Sequence, residues 1–425
     1  MSISVVSFQV PPVVTRANFF KWWLWGYSLT FSKTGGKFIG NLENIALMHV
    51  LAQPTMAVPE LTFCIFQCMF AAITPALAIG AAAERGRMLP CVVFIFVWAT
   101  LVYDPIACWT WNPNGWVSQM GGLDFAGGTP VHISSGSAAL AYALMLGKRR
   151  GHGTPELNYR PHNVTHVIIG TVFLWVGWFG FNGGSAVGSN LRATMACVVT
   201  NLAASVAGFT WVLVDYRLEG KWSAVGWCSG AVTGLVAITP GSGFVPAWAA
   251  VVFGVVAAIT CNYATKLKFV LGIDDSLDIF AVHAVGGAVG DLLTYLLCVC
   301  CVPNDSGVFA ADYIAALDGV TKIPGGWING HWIQVAHQLT DAVTGFSYSF
   351  GMTCLILFVM NMIPGLSLRA SEEAEIIGID EAEIGEFAYD FVERERDYAH
   401  LHLISGIEGV PKFPNQTLEK RNNGV

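Results

Sequence analysis

Apolar residues run through this chain in blocks of about twenty, divided by short joints of Gly, Pro, Asn and charged residues. The blocks lie near residues 60–83, 89–111, 125–146, 163–182, 193–215, 223–239, 244–265, 277–302 and 334–364, with a weaker one near 19–31. About 20 apolar residues in a helix cross the hydrocarbon core of a bilayer. The pattern therefore predicts an all-α polytopic membrane protein with about ten spans in view.

Composition agrees, since 54% of the residues are hydrophobic and 12% are charged. A soluble domain carries about twice that charged fraction, so a large soluble core is set aside. Cationic residues alternate from joint to joint. One set of joints holds Arg85 and Arg87, then Lys148, Arg149, Arg150 and Arg160, then Arg217 and Lys221, then Lys266 and Lys268, and finally Arg369. The intervening joints hold only Arg192 and Lys322. Lys and Arg mark the cytoplasmic side, which puts the C-terminal tail in the cytosol and Asp124 at the outer end of its span.

The net charge of −7 belongs to that tail, because residues 370–397 hold eleven acids against Arg394 and Arg396. Three regions follow: an irregular N-terminal segment 1–21, a membrane domain 22–369 and an acidic tail 370–425. No basic patch points to nucleic acid. Most of the eleven Cys stand singly in apolar runs as small hydrophobes. The cluster Cys298, Cys300, Cys301 lacks further ligands at metal-site spacing, so no metal or other cofactor is expected. The opening MSISVVSFQ is too short for a signal peptide.

Ionisable side chains inside spans are costly and usually face a cavity or a partner. Here they come in two sets, Asp124 with His132 and Asp278 with His283. On one helix Asp124 and His132 would share a face about 12 Å apart. Gly127, Gly128, Ser134, Ser135 and Gly136 surround the first His, and Gly286, Gly287 and Gly290 follow the second. Small residues let helices approach closely. A single such His is ordinarily a hydrogen-bonded core residue. Two Asp/His/Gly spans five spans apart, and so oppositely directed, point instead to an inverted repeat with its site at the interface. Phe66 and Phe70 fall on one helix face, while Trp109, Trp111, Trp116, Trp178, Phe181 and Ser185 gather near outer ends. An interfacial aromatic belt accounts for Trp109 and Trp116. A cation–π cup for a small cation is the sharper reading of the group.

The stretches DFAGGTPVHISSG, FAAITPALAIGAAAERGR, GWFGFNGGS and DIFAVHAVGG resemble, in order, the ammonium transporters of the Amt/Mep/Rh superfamily. WNPNGW, GKRRGHG and NYRPHNVTH resemble its fungal ammonium-permease branch. The resemblance runs from about Trp22 to Tyr389. It implies eleven spans, an outside N-terminus, a cytosolic C-terminus, a plasma-membrane location and a homotrimer with one pore per subunit. It implies outer recruitment of ammonium or methylammonium by Trp111 and Ser185, and a gate of stacked rings, Phe70 and Phe181. His132 and His283 would be the paired pore imidazoles, with Asp124 the structural or deprotonation-linked acid near the substrate site and Trp178 and Asp278 in support. His132 resembles the twin-histidine type linked to sensing, other fungal members having Glu there. GIDEAEIGEFAYD resembles the cytosolic tail that docks beneath the subunits, where a regulator could act.

Physical chemistry supports such a pore. A bare cation in a dry tube loses many kcal/mol of hydration, which favours moving neutral ammonia with the proton handled separately. Two imidazoles in contact supply a donor, an acceptor and a proton relay. The chain also departs from the family. Set against the resemblance, the family's first helix is expected to be missing, and VPPVVTRANFFK (residues 10–21) and CVCCVPNDSG (298–307) interrupt otherwise matching helices. These read as a gene prediction with one missing exon and two retained introns, or as lineage divergence. Residues 10–21 are expected to leave the helical path because of Pro11 and Pro12, and 22–31 to rejoin it. Three functions compete: a high-affinity ammonium transporter, a transport-linked ammonium sensor, and an intramembrane enzyme, for which no nucleophile–base set is present; a non-functional truncated paralogue is the further alternative.

Overall fold

A computed structural model of the 425-residue chain describes residues 16–51, 54–55, 57–154, 161, 163–296, 316–323 and 332–385. Among these, ten helices dominate: α1 (16–31), α2 (Glu60–Ala82), α3 (88–111), α4 (128–146), α5 (Val164–Gly183), α6 (Leu191–Glu219), α7 (Ala224–Gly241), α8 (Ala247–Leu271), α9 (279–296) and α10 (Ile333–Met362). They follow the apolar blocks closely, and the fold is that of a multi-pass membrane protein. A two-stranded ribbon, Pro54–Thr55 with Val58–Pro59, is a minor addition. The cysteine cluster and the 298–307 interruption lie outside the described residues, as does most of 1–21.

Residues 16–21 correct one expectation, for they are helical and continuous with α1. The cause is a buried ion pair. Lys21 Nζ reaches Asp104 Oδ1 of α3 at 2.6 Å, with both side chains fully buried. Indole and phenol rings of Trp22 and Tyr103 flank the ammonium. A charge this deep is tolerated only when paired, and the pairing fixes the helix path at Lys21.

Helices α4 and α9 cross at the centre. Gly136 faces Ala284, Gly287 faces His132, and Gly128 faces Asp291. Sequence numbers rise on one helix as they fall on the other, so the two are antiparallel, as an inverted repeat requires. Gly136 makes the crossing close, because a Cβ there would meet the Ala284 nitrogen at 2.2 Å.

At one end, the cationic joints knit together. Arg149 grips Asp274 through Nε and Nη2, both at 2.8 Å, and also pairs with Glu84. Arg85 donates to the Asp274 carbonyl at 2.7 Å and to Ser276. The start of the tail joins them: Glu375 accepts from Arg369 at 2.6 Å and 3.1 Å, and Glu383 accepts from Arg87 and the Met88 N–H.

Candidate functional site: a buried histidine pair

Both histidines stand in π-helical turns, Gly128–Ile133 in α4 and Phe280–Val285 in α9. Phe181 stands in a third, Phe179–Gly183 in α5. π-turns are rare and collect at functional sites, where the extra residue per turn re-aims a side chain. Pro130, which has no N–H, sits inside the first turn.

His132 Nδ1 and His283 Nδ1 lie 3.2 Å apart, and both residues are buried. Neither Nε2 has a hydrogen-bond partner among the described residues. In a neutral pair, one Nδ1 donates and the other accepts. The donor's Nε2 is then an acceptor, and the acceptor's Nε2 is an N–H donor. The pair therefore presents one donor and one acceptor at its two Nε2 atoms. Trp178 stacks on His132 at 5.4 Å and 15°, and its own N–H is held by Thr239 at 2.9 Å.

Aromatic rings continue the column. Phe181 lies 6.0 Å from His132 and 4.3 Å from Phe70, tilted 34°. Phe66 and Trp111 meet Phe70 edge-on at 4.9 Å and 5.6 Å. Trp111 donates to the Asp124 carbonyl at 3.1 Å. Ser185 Oγ donates to the Phe181 carbonyl at 2.9 Å. Its proton is thereby occupied, and its lone pairs remain to accept an N–H. Six residues read from the sequence thus form one connected line: Trp111, Phe70, Phe181, Trp178, His132 and His283.

Three sequence readings are corrected. Asp124 does not share a helix with His132; it precedes α4 and closes its N-terminus. Its Oδ1 accepts from the N–H groups of Gly127 and Gly128 at 2.7 and 2.8 Å, and its Oδ2 accepts from Thr129 at 2.8 Å. The left-handed Gly127, φ +114°, makes that turn. A carboxylate on unpaired helix N–H groups is favourable, so Asp124 anchors the π-turn that carries His132.

Asp278 is likewise outside the span. It has φ +56° and pairs with Lys268 Nζ at 2.7 Å. The acid that serves α9 is Asp275, whose Oδ2 accepts the Phe280 N–H at 2.8 Å. Sequence reasoning passed over it, although its eight-residue separation from His283, equal to that of Asp124 from His132, was available as a signal.

Trp109, read as a membrane-belt ring, is buried within the protein. It donates to the Phe38 carbonyl at 2.7 Å and packs on Trp116 and Tyr348. Trp111, two residues on, is the ring beside Phe70.

Comparison with known proteins fits this arrangement. The model of the Ammonium Transporter Family matches residues 3–389. Ammonium transporter 1 of Schizosaccharomyces pombe is 58% identical over 393 residues, covering 92% of this chain and 74% of its own. The crystal structure of Candida albicans Mep2 is 48% identical and superposes with a TM-score of 0.79, covering 88% of this chain and 81% of that one. A solved structure described as a sensor Amt protein is 28% identical with a TM-score of 0.78, covering 90% of this chain and 91% of that one. These matches define a membrane transporter rather than an enzyme. The chain belongs to the ammonium transporter family, among its fungal, Mep2-like members.

Proposed function

We propose that this chain is a high-affinity, plasma-membrane ammonium transporter that works as a homotrimer, one twin-histidine pore per subunit. The observation that carries this reading is the His132–His283 contact at 3.2 Å, in line with the Phe70–Phe181 stack. Trp111 and the acceptor face of Ser185 recruit the cation at the outer mouth. The Phe pair separates that mouth from the pore, and its apolar rings disfavour an unsolvated ion. The histidine pair supplies a donor and an acceptor along a route otherwise without them, which ammonia can use and potassium cannot. Asp124 orients the first histidine through the turn it anchors.

A second role, signalling of nitrogen supply, is supported by the likeness to the sensor Amt protein and by the tail contacts at Glu375 and Glu383. The tail, and any regulator acting on it, would then lie in the cytosol. Growth on low ammonium and methylammonium uptake, in a cell lacking its own ammonium transporters, test the transport reading. Rescue is expected. No uptake by protein verified at the plasma membrane would overturn it.

A further inference from the structure

One face of α10 carries a buried polar seam at helical spacing: Gln334, Gln338, Asp341, Ser349 and Thr353. Four of the five are satisfied. Gln334 bonds the Gly121 carbonyl, and Gln338 bonds both the N–H and the carbonyl of Leu123. Ser349 donates to the Ser134 carbonyl at 2.7 Å, and Thr353 accepts from Trp98 at 2.8 Å. Asp341 is the exception. It is 1% exposed, yet neither carboxylate oxygen has a hydrogen-bond partner among the described residues.

Asp341 lies near a second acid, Asp291. One turn on, Gly345 lets Thr129 of α4 press against α10, so that a Cβ would meet Thr129 Cγ2 at 2.4 Å. Thr129 Oγ1 donates to Asp291 Oδ2 of α9 at 3.0 Å, while Asp291 Oδ1 has no partner among the described residues. Thr129 lies close to Asp341 as well, and Asp291, Asp341 and Asp124 are in each other's electrostatic field.

Asp124 is accounted for by its three N–H donors. The other two carboxyls have no such supply. No ion pair to either is present among the described residues, and no set of three metal-type ligands converges there. His283, on the same helix as Asp291, turns to His132 instead. Two neighbouring carboxylates in a low-dielectric interior cannot both stay charged without a counter-ion. With no cation at hand, the ligand that fits is a proton.

We propose that Asp291 and Asp341, joined through the Thr129 hydroxyl, are a proton-binding site behind the pore helix α4. The bound proton is the O–H of one carboxyl, and the hydroxyl, both donor and acceptor, links it to the other. The site is separate from the histidine pair and is fixed to it by Thr129, whose N–H holds Asp124.

Infrared spectroscopy of the full chain in membranes at neutral pH, with exchange into deuterium oxide to assign the bands, tests this directly. The expected result is a carboxylic-acid carbonyl band in the parent protein. The band should lose at least half its intensity in D291N or D341N and disappear in the double variant. A parent protein with no such band overturns the proposal without recourse to any variant. A band unchanged in the folded double variant overturns it too.

Discussion

Asp124 and Asp275 hold equivalent places in the two halves of the molecule. Each stands eight residues before a histidine of the central pair, and each carboxylate accepts the N–H of the residue five ahead, Thr129 or Phe280. Each thereby fixes the start of a π-turn that aims an imidazole at the other half.

Asp124→Ala leaves three buried N–H groups without an acceptor, at about 1–3 kcal/mol for each one left unsatisfied. Asp124→Asn keeps one acceptor oxygen and should lose less. Thermal midpoints of the detergent-solubilised protein should rank parent above Asn above Ala. Equal midpoints for parent and Ala would show that the turn holds without the acid.

Trp111→Leu should weaken capture of ammonium more than it slows flux at saturation. A partly desolvated cation–π contact contributes about 1–2 kcal/mol, so the half-saturation concentration for methylammonium should rise about tenfold. Trp109→Leu should instead lower the yield of folded protein, because Trp109 is a packed core ring. An unchanged half-saturation value in the Trp111 variant would remove that ring from the substrate site.

At the cationic end, Asp274 should be a stability determinant with a defined pH signature. Burial alone would raise its carboxyl, but the Arg149 hydrogen bonds and charge, helped by Arg85, hold it down to about 2. A carboxyl depressed on folding stabilises the native state fully above its unfolded value of about 4, and the contribution is lost as pH falls towards 2. Asp274→Asn should therefore destabilise at neutral pH by about 1.5–3 kcal/mol, the range for hydrogen bonds to charged groups. The gap should close in acid. A gap that stays constant from pH 7 to pH 3 would contradict the ion-pair account.

The helices were legible in the sequence because length and hydropathy alone specify a span. The histidine pair was legible too, since an Asp/His/Gly span that recurs five spans later in the opposite direction is not explained by a lone core histidine. The acids were harder to place. Asp274, Asp275 and Asp278 fall within five residues, and periodicity cannot say which one turns back onto the helix. That choice is made by the chain reversal, with φ +56° at Asp278, and by the competing cations Arg149 and Lys268. Trp109 and Trp111 are likewise only two residues apart, and a helix sends them to different neighbours. The helical course of residues 16–21 was hidden because the partner of Lys21, Asp104, is 83 residues away.

The proposed transport role requires that the two imidazoles in contact set what passes. Reconstitution of the purified protein into liposomes, with ammonium and potassium flux measured for the parent, His132→Ala and His283→Ala, tests this. Ammonium-selective flux is expected in the parent. Each variant, inserted and folded as well as the parent, should lose that flux or admit potassium. Undiminished flux with unchanged selectivity in both variants would contradict it.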